Sequence, residues 1–325
     1  MSSLQEYEVR PFIPLVSIVM PVYNGISFLQ KAIESILSQT YTHFELIIVN
    51  DCSTDGTLEY LYGLNDERII LVNLEKNVGV TGALQVGMNR VKGEYVARLD
   101  ADDIAYPLRL EKQVSFMQQH PHVGLLGSFA DTISMDGSLL TDGKRVEKSD
   151  IDLRWDLLFK NPFIHSTIMF RAKLITDFGL GYNLPHAEDY DLWARLSYVT
   201  KLALIPEPLI QYRVNPKSWT YVKASEQNHS EMLVSTREIS RLVNASPETI
   251  ERVRRWVRTG GHLPGYDFSV FVELIYAFLK LQSGSVTAEF KCRLRQLLRK
   301  RLGWRVVKER IYWRLFDKEA AIRIT

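Results

Sequence analysis

The run Asp100, Asp102 and Asp103 places three carboxylates within four residues, directly after the short apolar segment 95–99. Like charges this close repel by roughly 1 kcal/mol or more per pair, so such clusters usually face a cation or water. Mg²⁺ and Mn²⁺ prefer oxygen ligands and are often held by one or two carboxylates together with substrate phosphates. The cluster therefore indicates a divalent cation with a diphosphate. The alternative is an acidic turn that closes a strand.

A second acidic pair, Glu188 and Asp189, stands just before Leu192, Leu196 and Val199, which have helical spacing. A carboxylate fixed at the start of a helix can take a proton from a hydroxyl group, and such general-base catalysis typically contributes about 10²- to 10⁴-fold. The alternative is that both acids only cap the helix. The pair is therefore a candidate general base or a helix cap.

The elements that position these acids follow an alternating pattern. Apolar runs at residues 16–20, 46–49, 69–72 and 95–99 alternate with stretches of helical spacing, which predicts right-handed βαβ units and a mostly parallel central sheet flanked by helices. In such sheets ligands bind outside the carboxyl ends of the strands. The polar segments 21–24, 51–55 and 100–103 each follow a strand, so we expect them to converge on one crevice.

Two common nucleotide sites are disfavoured by the sequence. No G-x-G-x-x-G follows the first strand, and no G-x-x-x-x-G-K-[ST] occurs anywhere.

Further strands are expected at 123–127 and 202–205, the second ended by Pro206 and Pro208, with a mobile surface loop at 134–150. From Ala224 onward the spacing is helical, with turns at 245–247 and 260–261. We therefore predict two domains, a catalytic domain over 1–218 and a helical C-terminal region over 219–325.

Composition limits the class of protein further. The 325 residues are 46% hydrophobic and 24% charged with a net charge of +2, which gives no argument for nucleic acid as a partner. The only cysteines, Cys52 and Cys292, are too few for a disulfide framework and favour a reducing compartment. The N-terminus does not have the pattern of a signal peptide, and no stretch reaches about 18 consecutive apolar residues. We expect a cytoplasmic protein.

Positive charge is concentrated near the C-terminus. Between Lys291 and Arg314 there are ten basic residues and a single acid, Glu309. Residues Trp304, Val307, Ile311 and Leu315 have helical spacing among these cations. The pattern is typical of a helix that lies on an anionic membrane surface. The alternative is the solvated face of a helix that docks on the core or forms oligomers.

Four sequence motifs, taken in order, resemble those of a known family. They are V-S-I-V-M-P-V-Y-N-G, F-E-L-I-I-V-N-D-C-S-T-D-G-T, A-R-L-D-A-D-D-I and A-E-D-Y-D-L-W-A-R-L, with P-F-I-H-S-T and Y-R-V-N between and after them. Together they resemble the inverting glycosyltransferase family, often called family two, that assembles bacterial surface polysaccharides on a GT-A fold. The likeness covers about residues 14–215 and does not extend into the helical remainder.

The resemblance implies a role for several of these residues. It places the nucleotide pocket around Asp51, which would accept a hydrogen bond from the base. It implies that Asp102 holds the metal that bridges the diphosphate, and it matches Asp189 to the family's catalytic base. Asp100 would contact the ribose or the metal. The nucleotide-binding residues expected in full are Pro21, Tyr23, Asn24, Asp51, Ser53, Asn77, Arg98 and Asp100.

One position departs from the family pattern. After the turn at Asn77 the family often has Arg-Asn, where this chain has Leu84 and Gln85. A basic contact to the diphosphate is then either absent or supplied from elsewhere, for instance by Arg98.

Three residues are candidates for binding the acceptor. His165 is either a hydrogen-bonded histidine at a strand end or a contact to an acceptor or phosphate. Trp193 is either a core residue or a platform for a sugar ring. Asp191 is the third candidate, although on a helix it would point away from Asp189. Cys52 lies in the expected site, but nothing beside it would activate a thiolate.

The resemblance predicts a metal-dependent hexosyltransferase that uses Mn²⁺ or Mg²⁺. It would move a sugar from a nucleotide-diphosphate donor, a UDP-sugar, to a hydroxyl of a glycan or lipid-linked acceptor at the inner face of the cell membrane. Two alternatives stay open at this point. A nucleotidyltransferase would be expected to carry a Gly-rich, basic phosphate loop, which residues 20–27 lack. A non-catalytic nucleotide-sugar-binding protein would not need Asp189.

Overall fold

The computed structural model describes residues 13–141, 146–216, 223–282 and 287–306. The strands are β1 Val16–Val22, β2 Phe44–Asn50, β3 Ile69–Asn73, β4 Tyr95–Arg98, β5 Ile104–Ala105, β6 Val123–Ile133, β7 Leu139–Thr141, β8 Met169–Arg171 and β9 Lys201–Arg213. The helices are α1 Ile26–Leu37, α2 Thr57–Tyr62, α3 Gly79–Met88, α4 Arg109–Gln119, α5 Asp150–Asp156, α6 Lys173–Phe178, α7 Glu188–Leu196, α8 Ala224–Ser240, α9 Pro247–Thr259, α10 Gly265–Leu281 and α11 Ala288–Val306. A short 3₁₀ turn covers His165–Thr167.

The strands form one sheet in the order β3-β2-β1-β4-β8-β6-β9-β5, with β7 paired to β6. The predicted parallel arrangement is confirmed for β3, β2, β1 and β4, where Val19 of β1 lies between Ile47 of β2 and Arg98 of β4. Strand β8 then enters antiparallel between β4 and β6. Because β1, β2 and β4 run parallel, the loops that follow them open on the same edge of the sheet.

Helices cover both faces of the sheet because side chains alternate along each strand. Ile18 and Met20 of β1 belong to a core that includes α1 and α4, whereas Val19 belongs to a second core with α3 and α7. Trp193 lies in this second core and is fully buried. The packing of α7 on the sheet brings its acidic N-terminus to the edge where the strands end.

The C-terminal helices have a core of their own. Trp155 of α5 makes edge-on contacts with Phe278 of α10 and Phe290 of α11, and residues of α8 and α9 complete this cluster. The predicted helices after Ala224 are therefore confirmed. The predicted division between 218 and 219 falls within residues 217–222, outside the described residues, and stays a prediction. Because α5 contributes to it, the third core is shared with the preceding part of the chain.

The basic C-terminal segment is described only as far as Val306. Helix α11 includes Trp304, whereas Val307, Ile311 and Leu315 lie outside the described residues. Among the helices that the structure describes, none is long and apolar enough to cross a membrane.

Two segments differ from the sequence-based expectation. The predicted loop at 134–150 contains strand β7 and ends at α5, whose first turn is closed by a capping box between Ser149 and Asp152. The predicted break at Pro206 and Pro208 is wrong, because β9 continues from Lys201 to Arg213. Its register against β6 passes from Ile205 to Pro208, so Pro206 and Glu207 bulge out unpaired and the ladder tolerates the missing N–H group.

Candidate active site

The loops after β1 and β2 are tied together at the open edge of the sheet. The backbone N–H of Asn24 donates to Ser53 Oγ at 2.9 Å, and the N–H of Thr54 donates back to Asn24 Oδ1 at 2.8 Å. Asn24 has a positive φ of 51°, a conformation that Asn tolerates better than most residues. Pro21 is buried in β1, and the Tyr23 side chain just beyond it is 53% exposed. An exposed ring beside a rigid polar loop can pack on a nucleobase.

Asp51 connects these loops to the start of α3. Its two carboxylate oxygens accept from the backbone N–H groups of Val78 at 2.7 Å and Gly79 at 2.9 Å. The side-chain amide of Asn77 donates to the Asp51 carbonyl at 3.2 Å. Each carboxylate oxygen can accept a second bond, so Asp51 can still receive an N–H from a base. The structure thus brings Asp51 and Asn77 together, as the sequence predicts for one pocket.

The first acid of the cluster after β4 is paired within the protein. Arg98 Nη2 lies 2.5 Å from Asp100 Oδ1, and Ser166 Oγ donates to Asp100 Oδ2 at 3.0 Å. Burial alone would raise the pKa of Asp100, but the Arg98 charge lowers it below its usual value. Arg98 itself is almost fully buried, with Nε and Nη1 unpaired. Its observed contact is with Asp100, and a direct contact to a diphosphate stays a prediction.

The other two acids have different surroundings. Asp103 is buried, and its Oδ1 accepts from the Arg213 N–H at 2.8 Å while its Oδ2 has no hydrogen-bond partner. No lysine or arginine in the described part of the chain forms an ion pair with Asp102. Burial and the negative charge of Asp100 raise the pKa of Asp102 to about 6. The surroundings therefore disfavour the charged form of Asp102, and a cation beside it would stabilise that form.

This donor set fits a divalent cation. It offers hard carboxylate oxygens, and the Asp102 carboxylate, which forms no ion pair within the described chain, can take a cation as its partner. Within the described residues no group of three or more His, Cys, Asp or Glu side chains is arranged to hold a metal ion by itself. Protein ligands of this number suit Mg²⁺ or Mn²⁺ only when substrate phosphates complete the coordination. Asp102, with Asp100 beside it, is the residue that fits this role.

The acidic N-terminus of α7 lies within electrostatic reach of this cluster. Asn161 Nδ2 donates to Asp189 Oδ2 at 2.7 Å, and Thr81 Oγ1 donates to Glu188 Oε2 at 3.3 Å. Burial, then the charge of Glu188, raise the pKa of Asp189 to about 7, and Asp100 contributes in the same direction. Burial also raises the pKa of Glu188. A partly exposed carboxylate with a pKa near neutrality is well suited to general-base catalysis.

His165 belongs to an aromatic cluster beside these acids. Its Nε2 lies 3.0 Å from Tyr182 Oη, and its ring meets Trp193 edge-on at 5.7 Å between centroids. Burial, then the charge of Arg98, hold the pKa of His165 well below its usual value, which favours the neutral ring. Trp193 cannot be a sugar platform because it is fully buried. This corrects the sugar-platform alternative and confirms the core alternative.

Asp191 does not face the crevice. It is buried, and its two carboxylate oxygens are engaged by Arg195 and Arg237. Arg195 lies on the same helix, whereas Arg237 comes from α8. The contacts indicate that Asp191 holds α7 against α8, and they give no support for the acceptor role predicted from the sequence.

Several contacts were not assigned from the sequence. Ser166 and Arg213 lie in the motifs P-F-I-H-S-T and Y-R-V-N. These motifs indicated that the segments belong to the site, but no role was predicted for either residue. Arg213 donates to the carbonyl of Asp102 at 2.8 Å and so fixes the backbone of the acidic cluster. Thr81 and Asn161 carried no sequence signal of their own.

Comparison with known proteins identifies the family. Residues 17–178 match the family described as glycosyl transferase family 2. An uncharacterized glycosyltransferase of Haemophilus influenzae is 33% identical over 243 residues, which covers 71% of this chain and 75% of the relative. The chain belongs to glycosyl transferase family 2. The amylovoran biosynthesis glycosyltransferase AmsE of Erwinia amylovora is 32% identical over 222 residues, covering 65% of this chain and 83% of AmsE.

Solved structures show the same fold at lower identity. TarS 1-349 of S. aureus in complex with UDP-GlcNAc matches with a TM-score of 0.57 and 19% identity, covering 82% of this chain and 80% of that one. The mannosyltransferase PcManGT of Pyrobaculum calidifontis, in complex with GDP-Man and Mn²⁺, matches with a TM-score of 0.54 and 17% identity, covering 88% and 80%. The predicted GT-A fold with a helical C-terminal region is thereby confirmed for this family 2 glycosyltransferase.

Proposed function

We propose that this glycosyltransferase is inverting and metal-dependent, and that it moves a hexose from a UDP-sugar to a hydroxyl of a glycan or lipid-linked acceptor in surface polysaccharide synthesis. A role in polysaccharide assembly is supported by the similarity to AmsE, which is named for amylovoran biosynthesis. Donor binding is supported by the nucleotide-sugar complexes of TarS and PcManGT. The proposal includes a cytoplasmic site of action, where the free thiols of Cys52 and Cys292 stay reduced.

The observation that carries the proposal is the nearness of two acidic groups from distant parts of the chain. Helix α3 connects the nucleotide loops to the start of α7, because the N–H of Gly79 donates to Asp51 at 2.9 Å and Thr81 Oγ1 donates to Glu188 at 3.3 Å. The charge of Asp100 at the end of β4 contributes to the raised pKa of both Glu188 and Asp189 at the start of α7. A donor diphosphate held at the first group and an acceptor hydroxyl at the second would therefore share one crevice. Glycosyl transfer requires this arrangement, and a protein that only binds a nucleotide does not.

The residues divide the reaction between two sides of the crevice. On the acceptor side, Asp189 takes the hydroxyl proton while the acceptor oxygen forms its bond to the anomeric carbon. On the donor side, the bond from that carbon to the diphosphate breaks, and the electron pair leaves with the nucleotide. A single displacement of this kind inverts the anomeric configuration. A cation bound at Asp102 and Asp100 would act as a Lewis acid that neutralises charge on the leaving diphosphate.

Nucleotide recognition is proposed for the loops after β1 and β2. Asp51 is buried with one free acceptor position on each carboxylate oxygen, and the Tyr23 ring in the neighbouring loop is exposed. Asn24 and Ser53 fix the loop that carries the tyrosine. This pairing of an acceptor with an aromatic face suits a uracil ring, whose N–H donates and whose plane stacks.

A screen of donors tests the proposal. The protein is heated with Mn²⁺ and each of a panel of UDP-, GDP- and dTDP-sugars, and the donor that raises the melting temperature most is then tested for transfer. We expect a UDP-sugar to stabilise the fold only when Mn²⁺ is present, and the NMR spectrum of the product to show the opposite anomeric configuration. Retention of configuration would contradict the single displacement. Binding without any turnover, across a broad acceptor panel, would favour the non-catalytic alternative.

A further inference from the structure

We propose that Asn161 is a positioning residue for the catalytic base: its side-chain amide fixes the orientation of the Asp189 carboxylate and stabilises the form that accepts the proton. This inference rests on the proposed function, in which Asp189 is that base. Asn161 Nδ2 donates to Asp189 Oδ2 at 2.7 Å, and the backbone N–H of Tyr190 donates to Asp189 Oδ1 at 2.6 Å. Each carboxylate oxygen thus has one protein donor, and rotation of the carboxylate would break both bonds.

The orientation of the Asn161 amide is itself determined. Its Oδ1 accepts from the backbone N–H of Phe163 at 3.1 Å, across the intervening Pro162. Only the oxygen of an amide can accept from an N–H group, so the NH₂ group must face Asp189. The proline restricts the backbone between the two partners and favours this turn. Asn161 is therefore a donor that is already oriented before an acceptor arrives.

The segment that carries Asn161 is held by three helices. The carbonyl oxygens of residues 157, 158 and 159 accept from Tyr190 Oη at 2.8 Å, Ser235 Oγ at 2.9 Å and Arg254 Nε at 2.9 Å. These side chains come from α7, α8 and α9. The helical C-terminal region thus supports the segment that positions the base, and it does so without a direct hydrogen bond from Ser235 or Arg254 to Asp189.

The charges that face Asp189 explain why such a donor matters. Glu188 on its own helix, Glu231 from α8 and Asp100 from the end of β4 all raise the pKa of Asp189 in addition to burial. Tyr182, from the segment before α7, faces the same acids. A hydrogen bond to the charged form acts in the opposite direction. Without the Asn161 amide, the charged form of Asp189 loses a hydrogen bond that stabilises it. The neighbouring acids should then raise the pKa of Asp189 further.

The test is a direct titration of Asp189 that does not depend on the acceptor. Full-length protein carrying ¹³C at the aspartate side-chain carboxyl is titrated by NMR, and the Asp189 signal is the one missing from Asp189→Asn. Wild type should titrate with a midpoint at about 7. Asn161→Ala and the size-matched Asn161→Leu both remove the donor without adding a charge, and each should move the midpoint upward by about one pH unit.

A control separates positioning from general loosening of the segment. Ser235→Ala removes a hydrogen bond to the same segment without removing the donor to Asp189, so it should lower the melting temperature and leave the midpoint unchanged. Asn161→Leu keeps approximately the side-chain size, removes the donor, and provides the answer if Asn161→Ala does not fold. A wild-type midpoint in the folded Asn161 variants would overturn the inference. Failure of the proposed function is a different result, namely an Asp189→Asn enzyme with unreduced kcat, and it leaves the titration result intact.

Discussion

The guanidinium of Arg98 and the carboxylate of Asp100 form an ion pair 2.5 Å long that runs from the interior of the sheet to the crevice, with 2% and 36% of the two side chains exposed. Asp100 is therefore neutralised by the protein itself, whereas no arginine or lysine of the described chain pairs with Asp102. This difference makes Asp102 the stronger candidate for a metal ligand and gives Asp100 a partner that orients it. The two acids should therefore respond differently to substitution.

Substitution of Asp102 tests the metal. Asp102→Asn should reduce turnover by at least about 100-fold, because neutralisation of the leaving group by a cation contributes several kcal/mol. The fold should be intact, since the variant removes the charge of a half-buried carboxylate that lacks an ion-pair partner. The readouts are turnover and the Mn²⁺-dependent binding of UDP by calorimetry. Asp177→Asn, on the exposed face of α6, is the control and should match wild type. Full activity of Asp102→Asn in metal-free buffer would refute the assignment.

The ion pair between Arg98 and Asp100 should contribute measurably to the free energy of unfolding. Arg98→Met leaves Asp100 without its cation and should lower the free energy of unfolding by about 2 kcal/mol, less than for a fully buried pair because Asp100 is partly solvated. Adding Asp100→Asn should recover part of that loss, because the uncompensated charge is gone. Urea unfolding of the two single variants and the double variant measures the coupling. Strictly additive effects would show that the pair contributes nothing to stability.

The raised pKa of Asp189 predicts the acid side of the pH–rate profile. Because the base must be deprotonated, kcat should fall about tenfold per pH unit below about 7 and level off above it. The sign for stability is opposite. The native state retains a proton that the unfolded chain releases at lower pH, so this group makes the free energy of unfolding decrease as pH rises toward about 7. The measurement is kcat from about pH 5 to about pH 9. A kcat that stays constant down to about pH 5, as an ordinary aspartate pKa would give, would contradict the prediction.

Much of the site could be predicted from the sequence because its parts follow strands. Continuous apolar runs mark buried parallel strands, and the polar residues after them must meet at one edge of the sheet. This argument predicted the convergence of the loops at Asn24, Asp51 and Asp100. It needs only local pattern and the rule for parallel sheets.

The rest could not be predicted because it depends on contacts between distant residues. Asn161 reaches Asp189 across 28 positions, and nothing in N-P-F indicates which carboxylate its amide meets. The sequence suggested Asp191 as an acceptor-binding residue and could not show its ion pair with Arg237 of α8, because that pair joins residues that are far apart in the chain. Helix α5 is too short, at seven residues, to show a clear period, and β9 continues through two prolines that a pattern would read as a stop.

The basic C-terminal segment is predicted to bind anionic membranes, and the contacts of α11 determine which variant can test this. Deletion of α11 would remove Phe290, Leu294 and Leu298 from the third core, so substitution is the better test. Replacing Arg299, Lys300 and Arg301 by glutamine should reduce partitioning to vesicles containing phosphatidylglycerol by about 100-fold, at about 1 kcal/mol for each charge. Sedimentation with neutral phosphatidylcholine vesicles is the control. Equal partitioning of the variant and wild type would favour a solvated or oligomer-forming helix.

The central claim is that Asp189 is the base of the transfer, and the most direct measurement is the kcat of Asp189→Asn with the donor found by the screen. The variant keeps the shape of the side chain but cannot accept the proton, and that interaction exists only in the transition state. We therefore predict a fall in kcat of about 100-fold or more, with donor affinity measured by calorimetry nearly unchanged. Glu188→Gln should have a milder effect. An Asp189→Asn enzyme with near-normal kcat would contradict the account.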